Sequence, residues 1–534
     1  MFGKLGKYIW TRVTSVQDYW LTRFVILRVL GFVYFFAFVS LATQVIPLMG
    51  ENGLLPADAF LETIRAQFPK TISLFGIEQG PSTAQLFFEL PTIFWFGISD
   101  AWMLALSWFG VALSLIVLVG FANVPLLFLL WLMYLSFVNT AQRWLSYGWE
   151  MQLLETGFLA MFLVPLLDPR PFPKFPPPVP AIWLMRWLAF RIHLGAGLIK
   201  LRGDECWRNL TCLFTYYETQ PIPNPLSPWL HFAPKVFHIG GVLFNHFVEL
   251  VVPWFIFVPW RKIRHLAGLL SIGLQVFLIL SGNLAFINWI TIVPFLAVFD
   301  DSFWRKVLPG FIVRMADKAR GEAVERNLRK RDSAHYAYSL LFSVAVLLLS
   351  VPVILNLLSS RQMMNFSFNR FHLVNTYGAF GSVGKERLEL VVQGTEDLTI
   401  NENTTWQEYE FKAKPTDLKR RLPVIAPYQP RVDWQIWFAA MSNPDREPWL
   451  IHFVWKLLHD DQETIGLIRR NPFSDAPPQF IKIDLYTYNF VEPWKKKQND
   501  GAVWKRTYRS PWLLPVSKDT LQLQQFIAAH GWQK

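Results

Sequence analysis

The run FVILRVLGFVYFFAFVSLATQV, from Phe24 to Val45, is 22 residues long and carries one charge, Arg28. At a rise of ~1.5 Å per residue it makes a helix of about 33 Å, enough to cross the ~30 Å hydrocarbon layer of a bilayer. It is too long for the apolar core of a secretory signal, and no small-residue cleavage site follows it. The run is therefore expected to stay as a membrane anchor. Working outward, apolar runs of the same kind recur at 101–120, 124–140, 149–167, 181–201, 237–260, 265–281, 284–299 and 335–357, which makes nine candidate spans. The pair 265–281 and 284–299 is short enough to form one re-entrant hairpin instead.

Composition agrees with that reading. Hydrophobic residues make up 52% of the 534 positions and charged residues 17%, against about 25% charged in soluble chains. The deficit lies before residue 358. A net charge of +12 raises the question of nucleic acid, but the basic residues form no aromatic-interleaved patch, so no nucleic-acid partner is expected. Membrane orientation accounts for them better, because Lys and Arg accumulate in cytoplasmic loops. Lys4, Lys7, Arg12 and Arg23 precede or open the first span, whereas the 46–100 connection has only Arg65 and Lys70. With the N-terminus inside, Arg261, Lys262 and Arg264 also fall inside. So does the 300–334 loop with Arg305, Lys306, Arg314, Lys318, Arg320, Arg326, Arg329, Lys330 and Arg331. Nine crossings then place the C-terminal part outside, in the ER lumen of a eukaryote or beyond the inner membrane of a bacterium.

Division of the chain follows: a multi-span helical domain over 1–357 with extracytoplasmic loops, and a soluble β-rich domain over 358–534, of α+β or sandwich-like build. Leu388–Gly394, Thr404–Phe411 and Ile481–Tyr488 have strand character. In the last, Ile481, Ile483 and Leu485 alternate with Lys482, Asp484 and Tyr486, the period of a sheet with one buried face. Trp449–His459 and Thr520–His530 have helical spacing. Trp434, Trp437, Phe438, Trp449 and Trp455 make the middle of this domain strongly aromatic. They either fill its core or form a hydrophobic surface that accepts a partner protein or the bilayer. Asn-x-Ser/Thr sequons stand at Asn209, Asn365 and Asn403, all on the predicted outer side.

Charged groups inside spans cost about 2.5 to 3.5 kcal/mol each, so each needs a partner or a cavity. The fifth span carries Arg186, Arg191, His193 and Lys200, with His193 and Lys200 seven residues apart and near one face. In the sixth, Asn245, His246 and Glu249 are spaced three and four apart and share a face. These two spans are expected to meet. Arg28, Glu150 and Glu155 are opposite charges that could neutralise one another across helices. The whole set is either a group of interhelical fasteners or a functional polar cavity, and Lys200 near its helix end can also snorkel to the interface. Cys206 and Cys212, the only cysteines, fall on the predicted oxidising side, where a disulfide is permitted and two free thiols are the alternative.

Phosphate-loop, zinc-pair and nucleophile-elbow patterns are absent, and no metal or cofactor is expected. Gly378, Gly381 and Gly384 miss the dinucleotide spacing and read as turns. A resemblance carries further than any of these. Arg186-Trp187, Gly195-Ala196-Gly197-Leu198-Ile199-Lys200-Leu201-Arg202-Gly203-Asp204, Cys206-Trp207-Arg208 and Leu210-Thr211-Cys212 closely resemble the lipase maturation factor family. So do Tyr216-Tyr217-Glu218-Thr219-Gln220-Pro221, Pro223-Asn224-Pro225, Phe244-Asn245-His246-Phe247-Val248-Glu249-Leu250 and Ser281-Gly282-Asn283. Asn375-Thr376-Tyr377-Gly378-Ala379-Phe380-Gly381, Asp433-Trp434 and Trp437-Phe438-Ala439-Ala440 extend the likeness over most of the chain.

What the resemblance implies is a membrane-resident, non-catalytic folding or assembly factor, a chaperone of secreted lipases whose soluble tail meets the client. The ending Gly531-Trp532-Gln533-Lys534 departs from the KDEL-type signal of an ER resident. Ala196-Gly197 with Lys200-Leu201 is also similar to the lysine-bearing segment of vitamin K-dependent γ-carboxylase-like membrane proteins. That likeness would make Lys200 a base, with His193, His246 and Glu249 beside it. The expected partners are the lipid bilayer and a secreted client, a lipase among the candidates.

Overall fold

A computed structural model describes residues 19–68, 71–72, 78–325 and 333–532. Lys4, Lys7, Arg12, Lys70, Arg326, Arg329, Lys330, Arg331, Gln533 and Lys534, used above for orientation and for the C-terminal ending, lie outside them.

The helices that answer to the predicted spans are α1 (Trp20–Ala42), α2 (Asp100–Val119), α3 (Val124–Thr140), α4 (Gly148–Ala160), α5 (Val179–Arg202), α6 (Lys235–Phe255), α7 (Arg261–Ser281), α8 (Ile287–Leu296) and α9 (Ser333–Leu358). Six of them, α1, α2, α5, α6, α7 and α9, are long and apolar enough to cross a membrane. The other three have 17, 13 and 10 residues, which at ~1.5 Å each give about 26, 20 and 15 Å. Of the nine predicted spans, these three are therefore helices shorter than the hydrocarbon layer is thick. Short apolar helices enclosed by a bundle read like lipid-facing ones, because both lack polar residues. α8 is such a case: it packs against α1, α4, α5 and α7 and is buried along most of its length. α7 is one continuous helix of 21 residues.

Local signals set the helix starts. The Ser99 and Asn123 side chains accept the Trp102 and Leu126 amides at the starts of α2 and α3. At the start of α1 the cap comes from far away: the Asp301 carboxylate accepts the Trp20 and Leu21 amides at 3.1 and 2.9 Å. Within α6 the α-helix stops at His246, a π turn runs over Phe247–Val251, and Val252–Phe255 completes the span with Pro253 inside. A wide turn of this type swells one side of a helix and re-aims its side chains.

The C-terminal sheet has four strands, β1 (Arg387–Thr395), β2 (Gln407–Glu408), β3 (Phe480–Phe490) and β4 (Trp504–Val516), in the order β2-β1-β3-β4 with antiparallel neighbours. Leu390, Val392, Ile481 and Ile483 pack with α10 (Arg431–Ala439) and α11 (Pro448–Leu458), while α12 (Leu521–Ala529) packs on α11. Val391, Tyr488, Phe490 and Trp504 cover the opposite side with Leu422. The strand expected over Thr404–Phe411 contracts to Gln407–Glu408. β4, not foreseen, is an edge strand: Lys505, Arg509 and Tyr508 are exposed and Pro511 and Pro515 interrupt it, as edges tolerate. One hydrophobic core runs from Trp20 through the bundle to Ile527, so the β domain is built onto the bundle.

Candidate functional site

Two buried polar systems organise the molecule. The first joins the β domain to the bundle. Arg431, at the start of α10, reaches into the bundle and pairs with Glu150 on α4, which also accepts the Tyr134 hydroxyl from α3. Its backbone amide donates to Gln44 Oε1 at 2.8 Å. On the next turn of α4, Glu155 pairs with Arg191 of α5 and accepts the Asn375 amide at 2.9 Å and the Tyr377 hydroxyl at 2.7 Å. Arg191 completes the ring by donating to Asn375 O at 2.8 Å. Arg387 of β1 donates to the carbonyls of Glu218, Gln220 and Pro221, and Glu218 accepts the Phe490 amide. Asn283 donates to Pro423 O and accepts the Ile425 amide.

Close approach makes these bonds possible. A Cβ on Gly195 would stand 2.3 Å from Tyr377 O, and one on Gly203 would stand 2.2 Å from Gly381 O. Gly378 packs against Met364 and Ile199, and Gly381, in a bend, packs against Ile199; both supply clearance without a left-handed φ.

The second system lies between α5, α6 and α7. Lys200 Nζ donates to both oxygens of Glu249, at 2.6 and 2.7 Å, with both side chains buried. Glu249 sits in the π turn, which turns it toward α5. His193 Nδ1 lies 3.3 Å from Val248 O, and its Nε2 lies 3.3 Å from Gln275 Nε2 of α7. The two predicted polar faces thus meet, although His246 turns away to Trp207 O at 3.0 Å. Beside this ion pair is a cavity of about 610 Å³ lined by Lys200, Glu249, Asn245, His193, Trp207 and Tyr216 among others.

A disulfide joins Cys206 and Cys212, whose Cα atoms are 4.7 Å apart. It closes a short loop that holds Trp207, whose Nε1 donates to Phe380 O at 2.7 Å and whose ring lies 5.3 Å from Lys200 Nζ. Replacing both cysteines by serine is expected to lower stability by about 2 kcal/mol, the loop-closure value for so short a ring. Thermal unfolding of the oxidised and mutant proteins in detergent checks it.

Comparison with known proteins adds the decisive observation. Residues 21–306 match the family model for the lipase maturation factor transmembrane domain, and 373–514 match that for the lipase maturation factor C-terminal domain. Lipase maturation factor 1 of Bos taurus is 44% identical over 527 residues, covering 96% of this chain and 92% of its own length. The chain belongs to the lipase maturation factor family. Lipase maturation factor 1 of Homo sapiens is 42% identical (96% of this chain, 90% of its own), and lipase maturation factor 2 of Homo sapiens 28% (96% and 85%). No solved structure matches. With its membrane-domain match and six long apolar helices, this family member is an integral membrane protein.

Within the family frame, both carboxylates of α4 and the whole cavity-side polar set fall in the transmembrane match, while Arg387, Arg431 and Asp433 fall in the C-terminal match. Several residues that carry the family resemblance are fasteners between the two: Glu218, Asn283, Asn375 and Tyr377. Asp433, also in the resemblance, works inside the β domain: it accepts the Ala413 and Lys414 amides at 2.6 and 2.9 Å, and burial pushes its carboxyl up.

Several expectations change. Arg28 does not neutralise Glu150 or Glu155; it donates to Phe24 O and Gly120 O and lies over the Phe24 ring. Arg186 donates to Ala297 O and Tyr19 Oη, away from the cavity. Trp434 and Trp449 offer no surface, because they are buried against Trp149 and Trp144 at the seam between domain and bundle. Trp437 and Trp455 are half-buried, and Phe438 is exposed. The amine that the second resemblance would use as a base, Lys200, is engaged by both oxygens of a carboxylate. Sequence reasoning missed Arg387 and Arg431. For Arg431 the signal was indirect: two carboxylates inside one span, Glu150 and Glu155, call for two cations, and Arg191 answers one of them.

Proposed function

We propose that this chain acts in lipase maturation, as a membrane-seated, non-catalytic holder that keeps its β domain on the extracytoplasmic face to receive an unfinished secreted lipase. The observation that carries the reading is the buried seam. The resemblance to lipase maturation factor 1 covers both halves, and Arg431, Arg387 and the Asn375–Gly381 segment fix one half on the other. A domain held in that way presents its surface in a constant attitude to the bilayer, which suits capture of a client and needs no chemistry of its own. The exposed pair Phe438 and Met441, with Trp437 and Trp455 near them in sequence, is the client-facing surface of choice, since Trp434 and Trp449 are spent on the seam.

Co-expression with a secreted lipase tests the role. Deleting the protein, or replacing Phe438 and Met441 by aspartate, should lower the active fraction of lipase several-fold while total lipase stays constant. Unchanged specific activity of lipase in the deletion strain would falsify the maturation role. Orientation is tested separately. Expressed in eukaryotic cells, the exposed Asn209 and Asn403 should carry glycans that Asn209→Gln and Asn403→Gln remove. Asn365 should carry none, since its side chain packs on Gly148. A C-terminal reporter active in the cytosol overturns the extracytoplasmic placement.

A further inference from the structure

We infer that the cavity between α5, α6 and α7 binds the ester end of a neutral glycerolipid that enters sideways from the bilayer. Three observations lead there. The first is the opening. Gly240 of α6 and Gly273 of α7 line the cavity and are exposed, and a Cβ at either would meet nothing within 4 Å among the described residues. α6 and α7 pack through the π turn and Val252–Phe255. Phe237, Phe244 and Phe277 stand exposed beside the gap. Both helices are long and apolar enough to span, so a gap between their outer faces opens on hydrocarbon and not on water.

The second observation is charge balance. Lys200 and Glu249 satisfy each other as a neutral pair in a low-dielectric site, and among the cavity-lining residues they are the only Asp, Glu, Lys or Arg. A phosphate or carboxylate brought in beside them would add an uncompensated buried charge, which is costly; a neutral head adds none. The third is donor supply. Among the described residues the Tyr216 hydroxyl and the Asn245 Nδ2 have no hydrogen-bond partner and are shielded from solvent, although both residues line the cavity; Tyr216 is 4% exposed. Buried donors without acceptors are costly, and an ester carbonyl is the acceptor that satisfies them without charge. The volume, about 610 Å³, is that of a small-molecule site, with acyl chains left to trail through the gap into the bilayer.

The test uses full-length protein in phosphatidylcholine nanodiscs containing a small fraction of diacylglycerol with a photoreactive acyl ester, followed by peptide mapping of the labelled sites. Labelling is expected on α5, α6 and α7 peptides that line the cavity, and excess unlabelled diacylglycerol should suppress it. Gly273→Leu and Gly240→Leu, which have room to fold, should reduce it about tenfold by closing the gap, with the thermal transition unchanged. Asn245→Leu should weaken it by a similar factor. Label confined to outward-facing side chains such as Leu266 and Leu280, equal labelling in the Gly273→Leu protein, or equal competition by oleate or phosphatidylserine would each overturn the proposal.

Discussion

Replacing Arg431 with alanine is expected to cost about 3–5 kcal/mol, the loss seen when one partner of a buried ion pair is removed. Glu150 would be left fully buried with only the Tyr134 hydroxyl to accept from, and the Trp144 carbonyl would lose its donor. Because Arg431 opens α10, the β domain should also loosen from the bundle, exposing Trp434 and Trp149. Two measurements check this: the melting temperature of detergent-solubilised protein, and protease sensitivity of the 395–430 segment. The pair variant Arg431→Met with Glu150→Leu separates charge from packing. It should recover most of the loss, since an apolar pair of similar volume avoids the stranded carboxylate. If the pair variant is as unstable as the single one, the ion pair is not what holds the seam.

Gly195→Ala should destabilise by about 1–3 kcal/mol, against the usual direction. In an ordinary helix, replacing glycine by alanine gains up to about 1 kcal/mol. Here the new methyl would stand 2.3 Å from Tyr377 O, a backbone atom with no flexible way to yield. Retreat of that segment would pull the Asn375 amide and Tyr377 hydroxyl from Glu155, so the steric loss becomes an electrostatic one. Gly240→Ala, on open space, is the control and should be neutral or stabilising. A loss at Gly195 no greater than at Gly240 would mean that the 375–381 segment is not seated as described.

Legibility followed the range of the interactions. The helical membrane half, the two strongest strands, the Cys206–Cys212 loop and the meeting of the Lys200 and Glu249 faces could all be read from residues a few turns apart. Arg431 could not, because its partner is 281 positions away and nothing around it differs from an ordinary surface arginine. The same distance explains Trp434 and Trp449: their aromatic character was plain, but the helix they pack on lay in the other half of the chain. β4 was missed because its charges and prolines, harmless at a sheet edge, remove the alternation that marks a strand. The helices α4 and α8 are shorter than the apolar runs at 149–167 and 284–299 because enclosure by other helices and exposure to lipid select the same residues.

The pairing of Glu150 with Arg431 also sets an order of events during synthesis. At roughly 5–20 residues per second, the ribosome needs about 14 to 56 s to travel the 281 positions between them. For that interval the carboxyl of a newly delivered helix lacks the cation it meets in the finished fold. The packing around α4 is therefore incomplete when α4 is made, with the Tyr134 hydroxyl on Glu150 but not yet the Arg431 guanidinium. Its final seating waits for the last fifth of the chain, and a nascent protein stalled before α10 is a membrane protein with an unfinished interior.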